Sequence, residues 1–354
     1  MAARVLRRLP RLKPLNRLQV ILQHLKMSKH TDSTAEVLLE RRGGAGIITL
    51  NRPKALNALN LSMIRQIYPQ IKTWEQDPET FLIIIKGTGG KAFCAGGDIR
   101  AITDAGKVGD RLAQDFFREE YRLNNAIGTC KKPYVALIDG ITMGGGVGLS
   151  VHGHFRVATE KTLFAMPETA IVSTSFKGKA TEGLFQLFQS LGPLNGRMRQ
   201  LPALEEGLIA LKSPSTESIA DLLNSYHVKS KIDQEKQFVL DEHMEKINSL
   251  FSANNMEEIV KKLKQDGSAF AIKQLETINK MSPTSLKMTL RQLREGASMS
   301  LQDVLTMEYR LSQACMRGHD FYEGVRAVPW NTSTQRLSPG RSLFQTRDNG
   351  KPLT

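Results

Sequence analysis

Three consecutive glycines, Gly144 to Gly146, are the strongest chemical signal in the sequence. They follow a strand-like apolar run, Tyr134–Ile138, and an Asp-Gly turn, and they lead into a small apolar segment. Glycine has no Cβ, so a ligand can come close to the backbone at such a strand-to-helix junction. The first amides of the helix have no partner inside the helix and can face that ligand. The stretch ends on a carboxylate, Glu168, and other parts of the chain must supply a second amide donor and a pocket.

Strands and helices alternate around this stretch. The pattern predicts a β-hairpin over residues 36–50 and a helix with one apolar face over residues 62–76. The continuous apolar run Phe81–Lys86 is typical of a strand that is buried on both faces of a sheet. A polar helix is predicted over residues 108–126, shortly before the glycines. The alternation to about residue 168 predicts an α/β fold of stacked βαβ units.

The second half of the sequence is helical in character. Beyond about residue 204 the apolar residues recur with helical periodicity, and Pro283 is well placed near a helix N-terminus. Residues 329–354 are polar and basic without any period, which predicts a disordered tail. We therefore predict an α/β core over residues 33–203, a helical C-terminal region over residues 204–328 and a tail after it.

The N-terminal 31 residues contain eight Lys and Arg side chains and no acid, and leucines are spaced among them. This composition is typical of a mitochondrial transit peptide, which we predict over residues 1–32 and exclude from the fold. The alternative is a basic arm that touches anionic lipid or nucleic acid. Removing the eight charges from the net +14 leaves +6, which takes away most of the case for a nucleic-acid-binding protein. No apolar run approaches the length of a membrane-spanning helix.

The cysteines and histidines give no indication of a metal centre. Cys94, Cys130 and Cys315 are odd in number and widely spaced, which favours a reducing compartment and no disulfide framework. The seven histidines have neither the spacing of metal ligands nor that of a catalytic triad. His152 and His154 would share one face only if the backbone there were extended. We predict no metal site and assign these histidines to the core or the surface.

Four motifs in a fixed order resemble the crotonase superfamily of enoyl-CoA hydratases, isomerases and related enzymes. They are Asn51-Arg52-Pro53 with Asn57-Ala58-Leu59, AFCAGGDIR at 92–100, ITMGGGVGLS at 141–150 and AMPET at 165–169. Residues 116–124, 143–160, 280–296 and 305–328 are similar to the branch that hydrolyses 3-hydroxyacyl-CoA thioesters in mitochondrial valine breakdown. One Gly-rich motif is weak, but four in order with a matching helical part form a strong signal. The resemblance implies a crotonase-like spiral of ββα units, with CoA bound across it as part of the substrate and no separate cofactor.

The resemblance implies that Gly97 and Gly145 carry the two backbone N–H donors of an oxyanion hole. When a thioester carbonyl is attacked or polarised, negative charge develops on its oxygen, and preorganised amides stabilise that charge. Each glycine has a simpler interpretation, in which it serves only a turn. Asp98, next to Gly97, is expected to be a turn or cap residue, and Cys94 a small buried apolar residue.

Two carboxylates are candidates for contact with the substrate. Glu168 is the predicted catalytic residue, because hydrolysis needs a carboxylate to activate water or to attack the thioester. Pro167 and the apolar residues before it would place Glu168 in a dry pocket, which raises the pKa of a carboxyl group. Glu120 matches a substrate-contacting position of the hydrolases. The alternatives are a helix-capping surface glutamate at 168 and a solvated helix charge at 120.

Gly148 separates the reaction types within the superfamily. The hydratases have a second glutamate at the corresponding place, so that two carboxylates share one water, whereas glycine offers no side chain. Thioester hydrolysis through one glutamate is therefore preferred over hydration, and an enoyl-CoA hydratase or isomerase is the less favoured alternative.

The sequence departs from the family pattern in residues 172–203 and again after Val328. The related hydrolases continue with a Pro-Asp and a glycine cluster, whereas here Glu182 is the only acid and no Pro-Asp occurs. Because one wall of the acyl pocket would be rebuilt, the second hypothesis is an acyl-CoA-binding variant with impaired hydrolysis. The expected partner is an acyl-CoA substrate and not nucleic acid, and the sequence leaves the oligomeric state open, a homo-oligomer included.

Overall fold

The computed structural model of the chain describes residues 35–166, 200–229 and 241–327. Within these segments eight strands form a five-stranded and a three-stranded sheet. The strands are β1 (Val37–Arg42), β2 (Ala45–Leu50), β3 (Leu82–Gly87), β4 (Ala92–Cys94), β5 (Tyr134–Ile138), β6 (Ile141–Met143), β7 (Phe155–Ala158) and β8 (Leu163–Ala165). The larger sheet has the order β1-β2-β3-β5-β7, and the smaller has the order β4-β6-β8.

The described helices connect the strands and then continue alone towards the C-terminus. They are α1 (Leu61–Gln76), α2 (Ile99–Lys107), α3 (Leu112–Gly128), α4 (Gly145–Val151), α5 (Leu201–Ala210), α6 (Thr216–Lys229), α7 (Met244–Leu250), α8 (Met256–Asp266), α9 (Ala269–Ile278), α10 (Pro283–Gly296), α11 (Leu301–Arg317) and α12 (His319–Ala327). No helix in these ranges combines the length and the apolar character needed to cross a bilayer.

The sheet topology repeats a ββα unit. The hairpin partners β1 and β2 are antiparallel, as predicted, and β2, β3, β5 and β7 are parallel neighbours. The consecutive pairs β3/β4, β5/β6 and β7/β8 each give their first strand to the large sheet and their second to the small one. Because β4 and β6 are parallel neighbours, their C-terminal ends lie at the same edge of the small sheet. Helix α2 follows β4 at this edge, and helix α4 follows β6.

Helix α1 forms where its sequence predicts it. The side chain of Asn60 caps the helix by accepting a hydrogen bond from the Met63 amide at 2.8 Å. The predicted apolar face is buried; its members are Met63, Ile64, Ile67, Ile71 and Trp74. This face packs into the main core beneath the large sheet.

The predicted helix over residues 108–126 is wrong at its start, because residues 108–111 connect two separate helices. Helix α2 ends at Lys107, and Gly109 then adopts a left-handed φ of 72°. The Asp110 amide bonds back to the Ala105 carbonyl at 2.9 Å, while the Asp110 carboxylate accepts from the Leu112 amide at 2.9 Å. Asp110 therefore closes one helix and starts the next, so α3 begins only at Leu112.

Both faces of the large sheet are buried. Ile83 and Ile85 of β3 point into the core with α1 and α3, whereas Leu82 and Ile84 point to the opposite face, against α5 and α6. The C-terminal helices α11 and α12 also contribute to the first core, through Leu305, Phe321 and Val325. A third apolar cluster joins α7, α8 and α9.

Several sequence predictions lie outside the described residues. They concern the transit peptide over 1–32, the part of the atypical segment 172–203 that ends at residue 199 and includes Glu182, the tail over 329–354, and the candidate catalytic residue Glu168.

Candidate active site

Gly97 lies in a loop that is held to the segment before α1. The Leu59 amide donates to the Gly96 carbonyl at 2.7 Å, and the Asp98 amide donates to the Leu59 carbonyl at 2.8 Å. These two bonds form a parallel bridge between Leu59 and Gly97. Gly97 lies between the two residues that make these bonds, Gly96 and Asp98, and such a residue directs its own N–H away from the partner strand. The bridge therefore turns the Gly97 amide towards the opposite side of the loop.

Asn57 and Arg52 fix this segment from behind. Asn57 is fully buried, and its side chain accepts from the Arg52 amide and donates to the carbonyls of Thr88 and Ala92, each at 2.9 Å. The Arg52 guanidinium contacts the Asp98 carboxylate at 3.0 Å. A buried amide with all these bonds holds one backbone geometry, because losing any of them would leave a buried polar group unsatisfied.

Asp98 and Cys94 have the structural roles predicted for them. Asp98 is the N-cap of α2, and its carboxylate accepts from the Ala101 amide at 3.4 Å. Cys94 is fully buried, and burial, with a further contribution from the nearby Glu120 charge, raises the pKa of its thiol to about 12. The thiol therefore stays protonated and is a packing group rather than a nucleophile.

The triple glycine forms the turn between β6 and α4. Gly144 has a φ of 42°, in the region that favours glycine, and Gly145 is the first residue of the helix. A Cβ added at Gly146 would lie 2.2 Å from the carbonyl oxygen of Cys94, which no side chain can tolerate. This close approach packs the start of α4 against the end of β4, where the Gly97 loop begins.

The structure brings Gly97 and Gly145 together. A Cβ built on Gly145 would lie 3.5 Å from the amide nitrogen of Gly97. Within the described residues, neither of the two N–H groups donates to a backbone carbonyl. Two amides on adjoining backbone segments, both free of the backbone hydrogen-bond ladder, can supply the two donors that an oxyanion hole needs.

Helix α3 closes this site with an acidic and an aromatic side chain. The same hypothetical Cβ on Gly145 would lie 2.7 Å from Oε1 of Glu120, and a Cβ on Gly97 would lie 3.0 Å from Cζ of Phe116. Glu120 is only 7% exposed, so it is a buried carboxylate and not the solvated helix charge of the alternative interpretation. Phe116 and Glu120 are four residues apart and share one face of α3.

Three other described positions that the sequence singled out are Gly148, His152 and His154. Gly148 is buried inside α4, one turn after Gly145. His152 follows the last turn of α4 and His154 precedes β7, with its Nδ1 accepting from the Tyr134 amide at 3.3 Å. Burial, followed by the charge of Arg156, lowers the pKa of His154. Among the described side chains no group of three His, Cys, Asp or Glu residues could hold a metal ion.

The sequence reasoning did not identify Phe116 and Asn124 as residues on the same face of α3 as Glu120. Asn124 is 1% exposed, and neither polar atom of its side chain has a hydrogen-bond partner among the described residues. The signal was present as the spacing of residues 116, 120 and 124, which puts all three on one helical stripe.

Comparison with known proteins identifies the family. The sequence model of the enoyl-CoA hydratase/isomerase family matches residues 45–175 and 195–335. The 3-hydroxyisobutyryl-CoA hydrolase, mitochondrial, of Gallus gallus is 72% identical over 93% of this chain and 90% of its own length. The protein of the same name in Homo sapiens is 64% identical over 91% of this chain and 89% of its own length.

Solved structures agree with the predicted fold. A carnitinyl-CoA dehydratase from Mycobacterium thermoresistibile superposes with a TM-score of 0.73 at 30% identity, over 83% of this chain and 89% of that one. An enoyl-CoA hydratase from Rhodobacter sphaeroides superposes with a TM-score of 0.65 at 32% identity over the same shares. The expected crotonase-like α/β fold with a helical C-terminal part is thereby confirmed. Because the family model matches well over half of the residues of this chain, the chain belongs to the enoyl-CoA hydratase/isomerase family.

Proposed function

We propose that the chain hydrolyses the thioester of 3-hydroxyisobutyryl-CoA, and of similar 3-hydroxyacyl-CoA molecules, to the free acid and CoA. The observation that carries this proposal is the apposition of the Gly97 and Gly145 amides, with the buried Glu120 carboxylate beside them. Relatives with 72% and 64% identity bear the name of that hydrolase, which supports the choice of substrate.

The proposed chemistry divides between backbone and carboxylate. A thioester oxygen between the Gly97 and Gly145 amides would accept both N–H groups, whose hydrogen bonds strengthen as negative charge develops on the oxygen. Glu168 would take a proton from an attacking water or attack the carbonyl carbon itself. In either route the carbon–sulfur bond breaks, the oxygen of water ends in the acid, and CoA leaves as the thiol. CoA is part of the substrate, and the reaction needs no separate cofactor.

The cellular setting belongs to the same proposal. The relatives are named as mitochondrial proteins, which supports a mitochondrial location. The acid-free, Arg-rich N-terminus supports import into the matrix, where we place the reaction in valine breakdown.

A second candidate function is acyl-CoA binding with impaired hydrolysis. The family model matches up to residue 175 and resumes at 195, so residues 176–194 lie outside the match. This break begins a few residues after Glu168. An enoyl-CoA hydratase is less favoured, because Gly148 offers no second carboxylate on the buried face of α4.

The test compares the wild-type chain with Glu168→Gln in an assay for free CoA thiol. Substrates are 3-hydroxyisobutyryl-CoA and crotonyl-CoA, the latter followed by loss of its enoyl absorbance. We expect thiol release from the first substrate, no hydration of the second, and a loss of about 10²-fold or more in Glu168→Gln. Tight binding without wild-type turnover would favour the second candidate, and equal activity of both proteins would exclude Glu168 as the catalytic group.

A further inference from the structure

The Asn124 side chain is a buried amide that the described structure leaves without a partner. Asn124 is 1% exposed, and neither its Oδ1 nor its Nδ2 makes a hydrogen bond within the described residues. A primary amide has two donor hydrogens and an acceptor oxygen with two lone pairs. Burying such a group without partners destabilises a protein, so this amide is expected to have a function that offsets its cost.

The position of Asn124 follows from the packing of α3 beside α4. Near the start of α4, Glu120 of α3 approaches Gly145, with Oε1 2.7 Å from a hypothetical Cβ. Past the end of α4, a Cβ on Gly128 of α3 would lie 3.4 Å from Cβ of His152. The two helices therefore run side by side in the same direction. Asn124, midway between Glu120 and Gly128, lies level with the middle of α4.

The middle of α4 directs no side chain towards Asn124. Gly148 is one turn after Gly145 and shares its face, so no side chain projects there from α4. Asn124 is displaced from Glu120 by about 6 Å along α3, at a rise of 1.5 Å per residue. In a bound 3-hydroxyacyl thioester, the hydroxyl lies two carbons beyond the carbonyl carbon. When the Gly97 and Gly145 amides hold the carbonyl oxygen, the hydroxyl lies within a few ångströms of that oxygen. It lies either on the side of Asn124 or on the opposite side.

We propose that Asn124 is a specificity-determining residue that hydrogen-bonds the 3-hydroxyl of the acyl group, an inference that rests on the proposed function. The amide supplies both a donor and an acceptor, and a hydroxyl can use both. An acyl group without the hydroxyl leaves the amide buried and unsatisfied, as it is in the ligand-free protein. That substrate gains nothing from the amide, so the site discriminates by the hydrogen bonds that only the hydroxylated substrate makes.

The test measures a ratio between two substrates. We compare kcat/KM for 3-hydroxyisobutyryl-CoA with that for isobutyryl-CoA, which differs only by the missing hydroxyl. In Asn124→Leu, which keeps the branching at Cγ and removes both polar atoms, the preference for the hydroxylated substrate should fall by at least about ten-fold. The thermal midpoint should hold or rise, because an apolar side chain replaces an unsatisfied amide. A merely structural role would instead change both substrates alike.

Asn125→Leu is the matched control, because Asn125 is the next residue of α3 and lines a surface groove with Tyr68 and Arg122 instead. Its substrate ratio should equal that of the wild type. If the wild-type chain binds both thioesters without turnover, the proposed hydrolase function fails, and the inference is tested by the ratio of the two Kd values from calorimetry. An unchanged ratio in Asn124→Leu, by either readout, overturns the inference.

Discussion

Adding one methyl group at Gly145 tests the candidate oxyanion hole directly. In Gly145→Ala the new Cβ would lie 2.7 Å from Oε1 of Glu120, closer than a carbon and an oxygen can pack. It would also lie 3.5 Å from the Gly97 amide nitrogen, in the space next to that donor. The substitution therefore displaces the Glu120 carboxylate and narrows the space for a carbonyl oxygen between the two amides.

The expected effect is large on activity and small on stability. Removing one donor of an oxyanion hole lowers the rate by about 10²–10³-fold. We therefore expect kcat/KM of Gly145→Ala to fall by at least about 10²-fold, or about 2.7 kcal/mol at 1.36 kcal/mol per decade. The clashing oxygen is the end of a flexible side chain, so a rotation of the carboxylate relieves the clash and the fold persists.

Release of free CoA thiol from 3-hydroxyisobutyryl-CoA measures the activity, and urea unfolding measures the stability. Gly207→Ala is the matched control. Gly207 lies inside α5, and a Cβ there would lie 3.5 Å from the Leu222 side chain, an ordinary van der Waals distance. It should keep full activity and gain about 0.5–1 kcal/mol of stability, as alanine favours a helix interior. If Gly145→Ala retains kcat/KM within about three-fold of the wild type and unfolds normally, the proposed position of the carbonyl oxygen is refuted.

Two further predictions concern stability. Gly146→Ala places a Cβ 2.2 Å from the Cys94 carbonyl oxygen, and because that atom belongs to the backbone we expect a loss of about 3 kcal/mol in urea unfolding; a wild-type midpoint would contradict the packing of β4 on α4. Burial alone would raise the pKa of Glu75, but hydrogen bonds from the Lys72 ammonium and the Lys131 amide lower it below 4.5. The stability that this group contributes is therefore present above pH 4.5 and is lost as the pH falls through the lower folded-state pKa. Glu75→Gln should flatten the acid side of the profile of unfolding free energy against pH. An unchanged profile would argue against this role of Glu75.

Sequence patterns predicted the elements with strong local signals. The apolar stripe of α1 and the continuous apolar run of β3 specify their own burial, and both are buried as expected. The start of α3 was wrong, because the polar residues before it fit a helix by periodicity. Gly109 and Asp110 decide the boundary instead, through a left-handed φ and a carboxylate that accepts a hydrogen bond from the Leu112 amide. Those are turn signals, and they carry more weight here than periodicity does.

Burial of polar residues could not be predicted in the same way. Glu120 and Asn124 belong to a segment that looks like a solvated helix, with Arg118, Glu119 and Arg122 among its neighbours. Helix α3 packs against α1, α4 and α11, and these contacts between separate segments of the sequence bury it. The resemblance marked Glu120 but not Asn124. Their spacing puts both on one stripe of α3, but only the packed structure shows that this stripe is buried.

The site divides into a backbone part that cannot change and a side-chain part that can. Gly146 has no room for a Cβ, because the Cys94 backbone lies against it, and this contact fixes the start of α4. The wall formed by α3 is built from side chains, and a substitution there alters the pocket without moving either amide. Substrate preference should therefore respond to Asn124 while the stabilisation of the carbonyl oxygen does not. The effects of Gly145→Ala and Asn124→Leu should therefore be separable. Gly145→Ala should lower kcat/KM for both substrates by the same factor, whereas Asn124→Leu should change the ratio of the two kcat/KM values.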